Sequence, residues 1–192
     1  MKYLAVAMFA LMVVGCASDP ARRAAVAEEE VGRLAPPTRA LSEFRDYELK
    51  PIAMSSGVMA DEAKVDVSKD LGSRITTRVT PLLDRWRAKK SEGAEAGVLI
   101  IEPKVQELRV ISAAARFFLG YMMGDSFVDI DVRLTDSATG QVIAIPRIRR
   151  SASAWGGTWS IGMTDQNLLD YITDIVHRYL EVHYTAKGAT GN

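Results

Sequence analysis

The stretch that most constrains this chain is Val128-Asp129-Ile130-Asp131-Val132-Arg133-Leu134, in which apolar and charged residues alternate strictly. A period of two puts the four apolar side chains on one face of a strand and the charges on the other, so the fold must contain a sheet with one buried and one wet face. Asp136-Ser137-Ala138-Thr139-Gly140 follows with turn chemistry, and Gln141 to Ile148 reads as the returning strand. Pairing Leu134 with Val142 brings Val132 beside Ala144, Ile130 beside Pro146 and Val128 beside Ile148 on the core face. The same register sets Asp129 opposite Arg147 on the outer face, makes Asp131 and Arg149 part of a solvated charge ladder, and turns Ile143 and Ile145 outward. A slip of one residue would drive arginines into the core.

The buried face needs covering elements, and the sequence offers two. From Asp61 to Lys90, Val67, Leu71, Ile75, Val79, Leu82, Leu83 and Trp86 recur at spacings of three and four, which is one stripe of a helix. Asp70 and Arg74 form a favourable surface pair there, and Pro81 predicts a kink or a break. A second amphipathic helix begins at Thr164 as N-cap, with Asp165 in its first turn, and carries Leu168, Leu169, Ile172, Ile175, Val176, Tyr179 and Leu180.

Two further strands complete the sheet. Phe44 to Met54 reads as strand one, with Pro51 calling for an edge position or a bulge. Ala96 to Ile111 reads as a central strand, apolar on both faces at Val98-Leu99-Ile100-Ile101 and bent at Pro103. The expected architecture is a single α+β domain of order β-α-β-β-β-α, a mixed sheet of about four strands with two helices on one face.

Composition narrows the chemistry. Lys+Arg and Asp+Glu are both 24 among 192 residues, so no global field favours nucleic acid as a partner. There is one cysteine, which excludes an intramolecular disulfide and a thiolate metal cluster. The two histidines, His177 and His183, are six apart on a helix and face different ways, so no metal site is expected. Neither a G-x-S-x-G elbow nor a G-x-x-x-x-G-K-S/T loop occurs, and the chain is expected to be non-enzymatic and to need no cofactor.

The sole cysteine falls at one diagnostic place. Met1-Lys2 opens the chain with a positive charge, Leu4 to Val14 is continuously apolar, and Val13-Val14-Gly15-Cys16 closes the run. The run is too short to span a bilayer and ends in Ala17-Ser18-Asp19-Pro20. The pattern resembles the lipobox of bacterial lipoproteins. That resemblance implies cleavage before Cys16, a diacylglyceryl (palmitate-type) anchor on its sulfur, and, with Ala17 rather than aspartate next, residence in the outer membrane facing the periplasm. The expected partition is a signal peptide over 1–15, a lipidated flexible tether over 16–40, a globular domain over 41–185 and a disordered tail over 186–192.

Two apolar segments outside the periodic elements are candidates for recognition. Phe117, Phe118, Leu119, Tyr121, Met122 and Met123 form a cluster too apolar for a wet loop, which either joins the core or touches a protein partner or the lipid headgroup region. Trp155 and Trp159 flank Gly156-Gly157 and offer stacking surfaces for a sugar ring, the alternative reading of a glycan- or peptidoglycan-binding module. The run from Ala115 to Gly124, the alternating strand and the Leu134-to-Gly140 turn together resemble a family of small bacterial lipoproteins of unknown function, the domain-of-unknown-function 4410 type. The resemblance implies no catalytic residues. The function expected from the whole is a membrane-anchored envelope lipoprotein that docks another envelope protein through the Phe117–Met123 loop, the outer face of the sheet, or both.

Overall fold

A computed structural model describes residues 20–89, 95–109, 126–152 and 163–185. Six strands form one mixed sheet: β1 Phe44–Leu49, β2 Ala53–Met54, β3 Glu95–Arg109, β4 Ser126–Asp136, β5 Val142–Ala144 and β6 Arg147–Ala152. β1 and β2 run one after the other, parallel to β3 along one edge. β3 pairs antiparallel with β4, and β5 and β6 run one after the other along the far side of β4. The sheet is therefore four columns wide, as the sequence predicts, with both outer columns broken in two. Pro51 sits in the first break, where it removes no ladder donor, and Ile145-Pro146 in the second.

Among the described residues four α-helices accompany the sheet: α1 Pro20–Val31, α2 Ser56–Met59, α3 Glu62–Ala88 and α4 Met163–Val182. Asp61 caps α3, its carboxylate accepting from the Ala63 and Lys64 amides. α3 runs unbroken through Pro81, which is exposed; the buried Val79, Leu82, Leu83 and Trp86 on either side offset the missing hydrogen bond. Gly72 is needed in mid-helix because Ile52 presses against it: a Cβ there would lie 2.5 Å from the Ile52 Cγ2. In α4 all seven expected stripe residues are buried, though the helix begins at Met163, so Thr164 lies inside it.

α3 packs over β1 and β3 and α4 over β4 and β6, so the core lies on one face of the sheet. Val128, Ile130, Val132 and Leu134 are each at most 1% exposed. The hairpin register differs from the predicted one by two residues. Leu134 pairs with Ala144, Ile130 with Ile148 and Asp129 with Arg149, while a bulge between Leu134 and Thr135 absorbs Ile143. A two-residue shift keeps every side chain on its face, so the hydrophobic pattern cannot distinguish the registers. Ile143 is the exception: as the bulged residue it turns into the core at 2% exposure, whereas Ile145 stays outside at 45%. The irregularity in β3 also lies elsewhere than expected. The ladder runs straight through Pro103 and shifts between Val105 and Glu107, making Gln106 the extra residue.

The segment expected as a flexible tether is largely folded. Arg22 to Leu34 has weak intrinsic helicity, but α1 buries Ala27 and Val31 against α4. Arg23 bonds to Asp170 at 3.0 Å, Arg178 to Glu28 and Arg150 to Glu30. The chain that follows is also fixed. The Tyr179 hydroxyl donates to the Ala35 carbonyl at 2.8 Å, the Thr38 amide to Ile143, and the Tyr47 hydroxyl to Leu41. The folded unit therefore begins no later than Pro20 and not at Leu41, because apolar contact and cross-chain ion pairs add to a marginal helix what its own sequence lacks.

Candidate functional site: the charged face of the sheet

Cys16, Phe117, Phe118, Leu119, Tyr121, Met122, Met123, Trp155 and Trp159 all lie outside the described residues. The strand ends that carry their segments are described. Arg109 pairs with Phe127 and Ser126 with Ala152, so segments 110–125 and 153–162 join the sheet at the same end.

The face of the sheet away from the helices carries the remaining chemistry. Its rows follow from the register: Lys104, Asp131 and Arg147 lie side by side, as do Glu107, Asp129 and Arg149. Lys104, Glu107, Arg133, Arg147 and Arg149 are exposed. Asp129 is not. Expected to be solvated, it is 0% exposed, roofed by two arginines whose own side chains are about 60% exposed. Arg147 reaches diagonally to it with two hydrogen bonds, Nε to Oδ1 at 2.9 Å and Nη2 to Oδ2 at 2.7 Å. Arg149, the cross-strand neighbour, stands 3.8 Å away and lays its guanidinium over the Phe127 ring at 4.8 Å. The contact between Asp129 and Arg147 expected from sequence thus forms, although the register puts Arg149 opposite.

Beside this clamp the bulge at Gln106 aims an amide across the strands, donating to Asp131 at 2.7 Å, while the Ser55 hydroxyl holds the Gln106 carbonyl. The Asp129 hydrogen bonds raise the Arg147 pKa above its ordinary value, so its charge is permanent. The result is a rigid plate of fixed charges of both signs. Among the described residues no cluster of three or more His, Cys, Asp or Glu could hold a metal.

A second polar cluster, missed in the sequence, joins the helices. Arg23 of α1 reaches Asp170 and Asp174 of α4 at 3.0 and 3.2 Å, and Arg74 and Arg78 of α3 reach the same two carboxylates. The matched i,i+4 spacing of Arg74/Arg78 and Asp170/Asp174 is its only sequence signal. A cleft of about 560 Å³ opens at the end of the sheet opposite the two undescribed segments, lined by Arg45, Asp46, Arg87, Val98 and Ser137 among others. Arg87 there is held by Asp46 and Asp84, so part of the wall of this open groove is already ion-paired.

Fold and face define a two-layer α+β domain: helices on one side of a mixed sheet, fixed charges on the other. The chain belongs to the family described as Domain of unknown function (DUF4410), which matches residues 44–156. Among solved structures it is similar to the PelC dodecamer from Paraburkholderia phytofirmans, at 13% identity over 74% of this chain and 95% of that one, with a TM-score of 0.37. It is also similar to the hypothetical protein CT253 from Chlamydia trachomatis, at 12% identity over 70% and 96% of the two chains, with a TM-score of 0.36. A lipoprotein candidate from Caulobacter crescentus CB15 matches at 13% identity over 83% and 92%, with a TM-score of 0.35. No curated protein matches the chain.

Proposed function

We propose that the protein is a non-enzymatic envelope lipoprotein, tethered by lipid on Cys16, whose domain docks a second envelope protein through the charged face of its sheet. The observation that carries this reading is the roofed Asp129. A carboxylate at 0% exposure orients two arginines that are themselves open to solvent, so the charges are ordered before any partner arrives. Groups held on strands lose little freedom on binding, and fixed charges of both signs select orientation and exclude mismatched surfaces.

The tether rests on the apolar run from Leu4 to Val14 ending at Gly15-Cys16. Acyl chains contribute about 0.8 kcal/mol per buried CH₂, and two or more give stable attachment without a crossing helix. Among the described residues no helix is long and apolar enough to cross a membrane. The resemblance to bacterial lipoproteins, with Ala17 rather than aspartate after the cysteine, favours the outer membrane over the inner one.

The test is crosslinking in cells with a photoreactive amino acid placed at Arg133 or Arg147, and at Lys69 on the far side of α3 as control. A discrete adduct from the two sheet positions that is absent at Lys69 supports the reading. Adducts at Lys69 only, or none from the sheet, overturn it.

A further inference from the structure

Three helices of this domain lie parallel, and their alignment gives the molecule two different ends. Arg23, Arg74 and Arg78 meet Asp170 and Asp174, so the early turns of α1 and the middle of α3 are level with the first half of α4. At the other end Trp86, near the close of α3, stacks on Tyr184 just past α4, with ring centroids 4.5 Å apart. The starts of all three helices therefore gather at one end. β2 ends there too, Met54 pairing with Val105 and the Ser55 hydroxyl holding Gln106, so α2 sits at the same end. The turn at Asp136–Gly140, which pairs with the start of β3, marks the opposite end.

Cys16 precedes the first described residue of α1 by four positions, a span of at most about 14 Å even fully extended. α3, with 27 residues, is roughly 40 Å long. A lipid on so short a leash holds the helix-start end near the bilayer and keeps the far turn away from it. The surface of that end fits the placement. Met59, on α2, is 60% exposed, more than any other large apolar side chain among the described residues. Arg22 is exposed in the first turn of α1, a place where a cation works against the helix dipole and an anionic surface would favour it. A cleft of about 520 Å³ beside α2 is lined by Val58, Leu108 and Phe127 together with Lys64, Arg109 and Glu107.

The geometry points to an end-on membrane contact: the end bearing Met59 and Arg22 rests on the lipid headgroups, with Met59 entering the interface and the charged sheet face standing perpendicular to the bilayer. This rests on the proposed lipidation of Cys16 and adds to it an orientation. It explains how a domain held so closely still presents its sheet sideways to a partner.

The anchored chain itself provides the test. Under this reading the Cys16 sulfur is a thioether, so Met59→Cys or Gln141→Cys introduces the single free thiol for a nitroxide label. The lipidated variants are reconstituted into vesicles of phosphatidylethanolamine and phosphatidylglycerol, and collision with oxygen is compared with collision with a water-soluble nickel chelate. The expected result is oxygen collision dominating several-fold at position 59 and chelate collision dominating at 141. Vesicle-bound protein with position 59 as chelate-accessible as position 141 overturns the orientation and leaves the anchor standing. A third label at Glu29→Cys that reports lipid while position 59 reports water also overturns it, since the domain then lies on the flank of α1. Protein that fails to float with the vesicles removes the anchor, and the orientation with it.

Discussion

On its helix side β4 presents Val128, Ile130, Val132 and Leu134 to a continuous apolar core; on its other side the same strand presents Asp129, Asp131 and Arg133 to exposed charges from β3 and β6. The first face gathers most of the folding free energy, because apolar burial stabilises by about 25 cal/mol per Å² whereas exposed ion pairs contribute about 1 kcal/mol or less. The second face can therefore change its charges at little cost to the fold, which leaves it free to specify a partner. Asp129 lies between these regimes, belonging to the charged side by chemistry and to the core by burial.

The comparison is broken most sharply in the core. Ile130→Ala should lower unfolding stability in urea by about 2–5 kcal/mol, while Arg133→Ala on the same strand should stay within about 0.5 kcal/mol; equal losses would refute the division. Gly72→Ala should destabilise by about 1–3 kcal/mol despite its better helix propensity, because the new methyl meets Ile52 at 2.5 Å. A gain in melting temperature would show that Ile52 moves freely. Arg147→Ala should lower stability by uncovering a buried carboxylate, less than Ile130→Ala does, and adding Asp129→Ser should recover part of that loss. A double mutant as costly as the sum of both singles would mean that the clamp is not a unit.

A smaller effect is set by pH. Burial lowers the pKa of His183, whose ring nitrogens have no hydrogen-bond partner among the described residues. Burial, then Arg78, lowers that of His177, against opposing pulls from Glu181 and Asp174. Both rings are more readily protonated in the unfolded chain. Stability is thus complete above the ordinary histidine value of 6.5 and falls as pH drops below it toward each depressed native value. Melting temperature should decline between about pH 7 and about pH 5.5, before carboxylates such as Asp136 and Asp46 are protonated. His183→Phe should flatten that decline, and an unchanged slope would assign it elsewhere.

Much of the helix side was legible because its signals are periodic. The stripes of α3 and α4 and the alternation of β4 each repeat a geometry that burial enforces along a single element. What escaped is aperiodic and joins distant parts of the chain. The docking of α1 depends on Arg23 meeting Asp170, 147 residues later, and on two small contacts, Ala27 and Val31. The hairpin register depends on where one bulge falls, and a shift of two leaves the pattern unchanged. Asp129 looked solvated because alternation reports the face of a residue and not what its neighbours lay over it. Of the candidate site, the sequence yielded the outer face and the partnership of Asp129 with Arg147, while the residues marked for lipid, loop and sugar contact lie outside the described chain.

The assignment of one face to folding and the other to binding acquires its biological setting from the thiol at position 16. Mass spectrometry of the amino-terminal peptide from protein made in its native host tests that directly. The account predicts a peptide beginning at Cys16 whose sulfur carries a diacylglyceryl group. A peptide that begins upstream of Cys16, or at Cys16 with a free thiol, would contradict it.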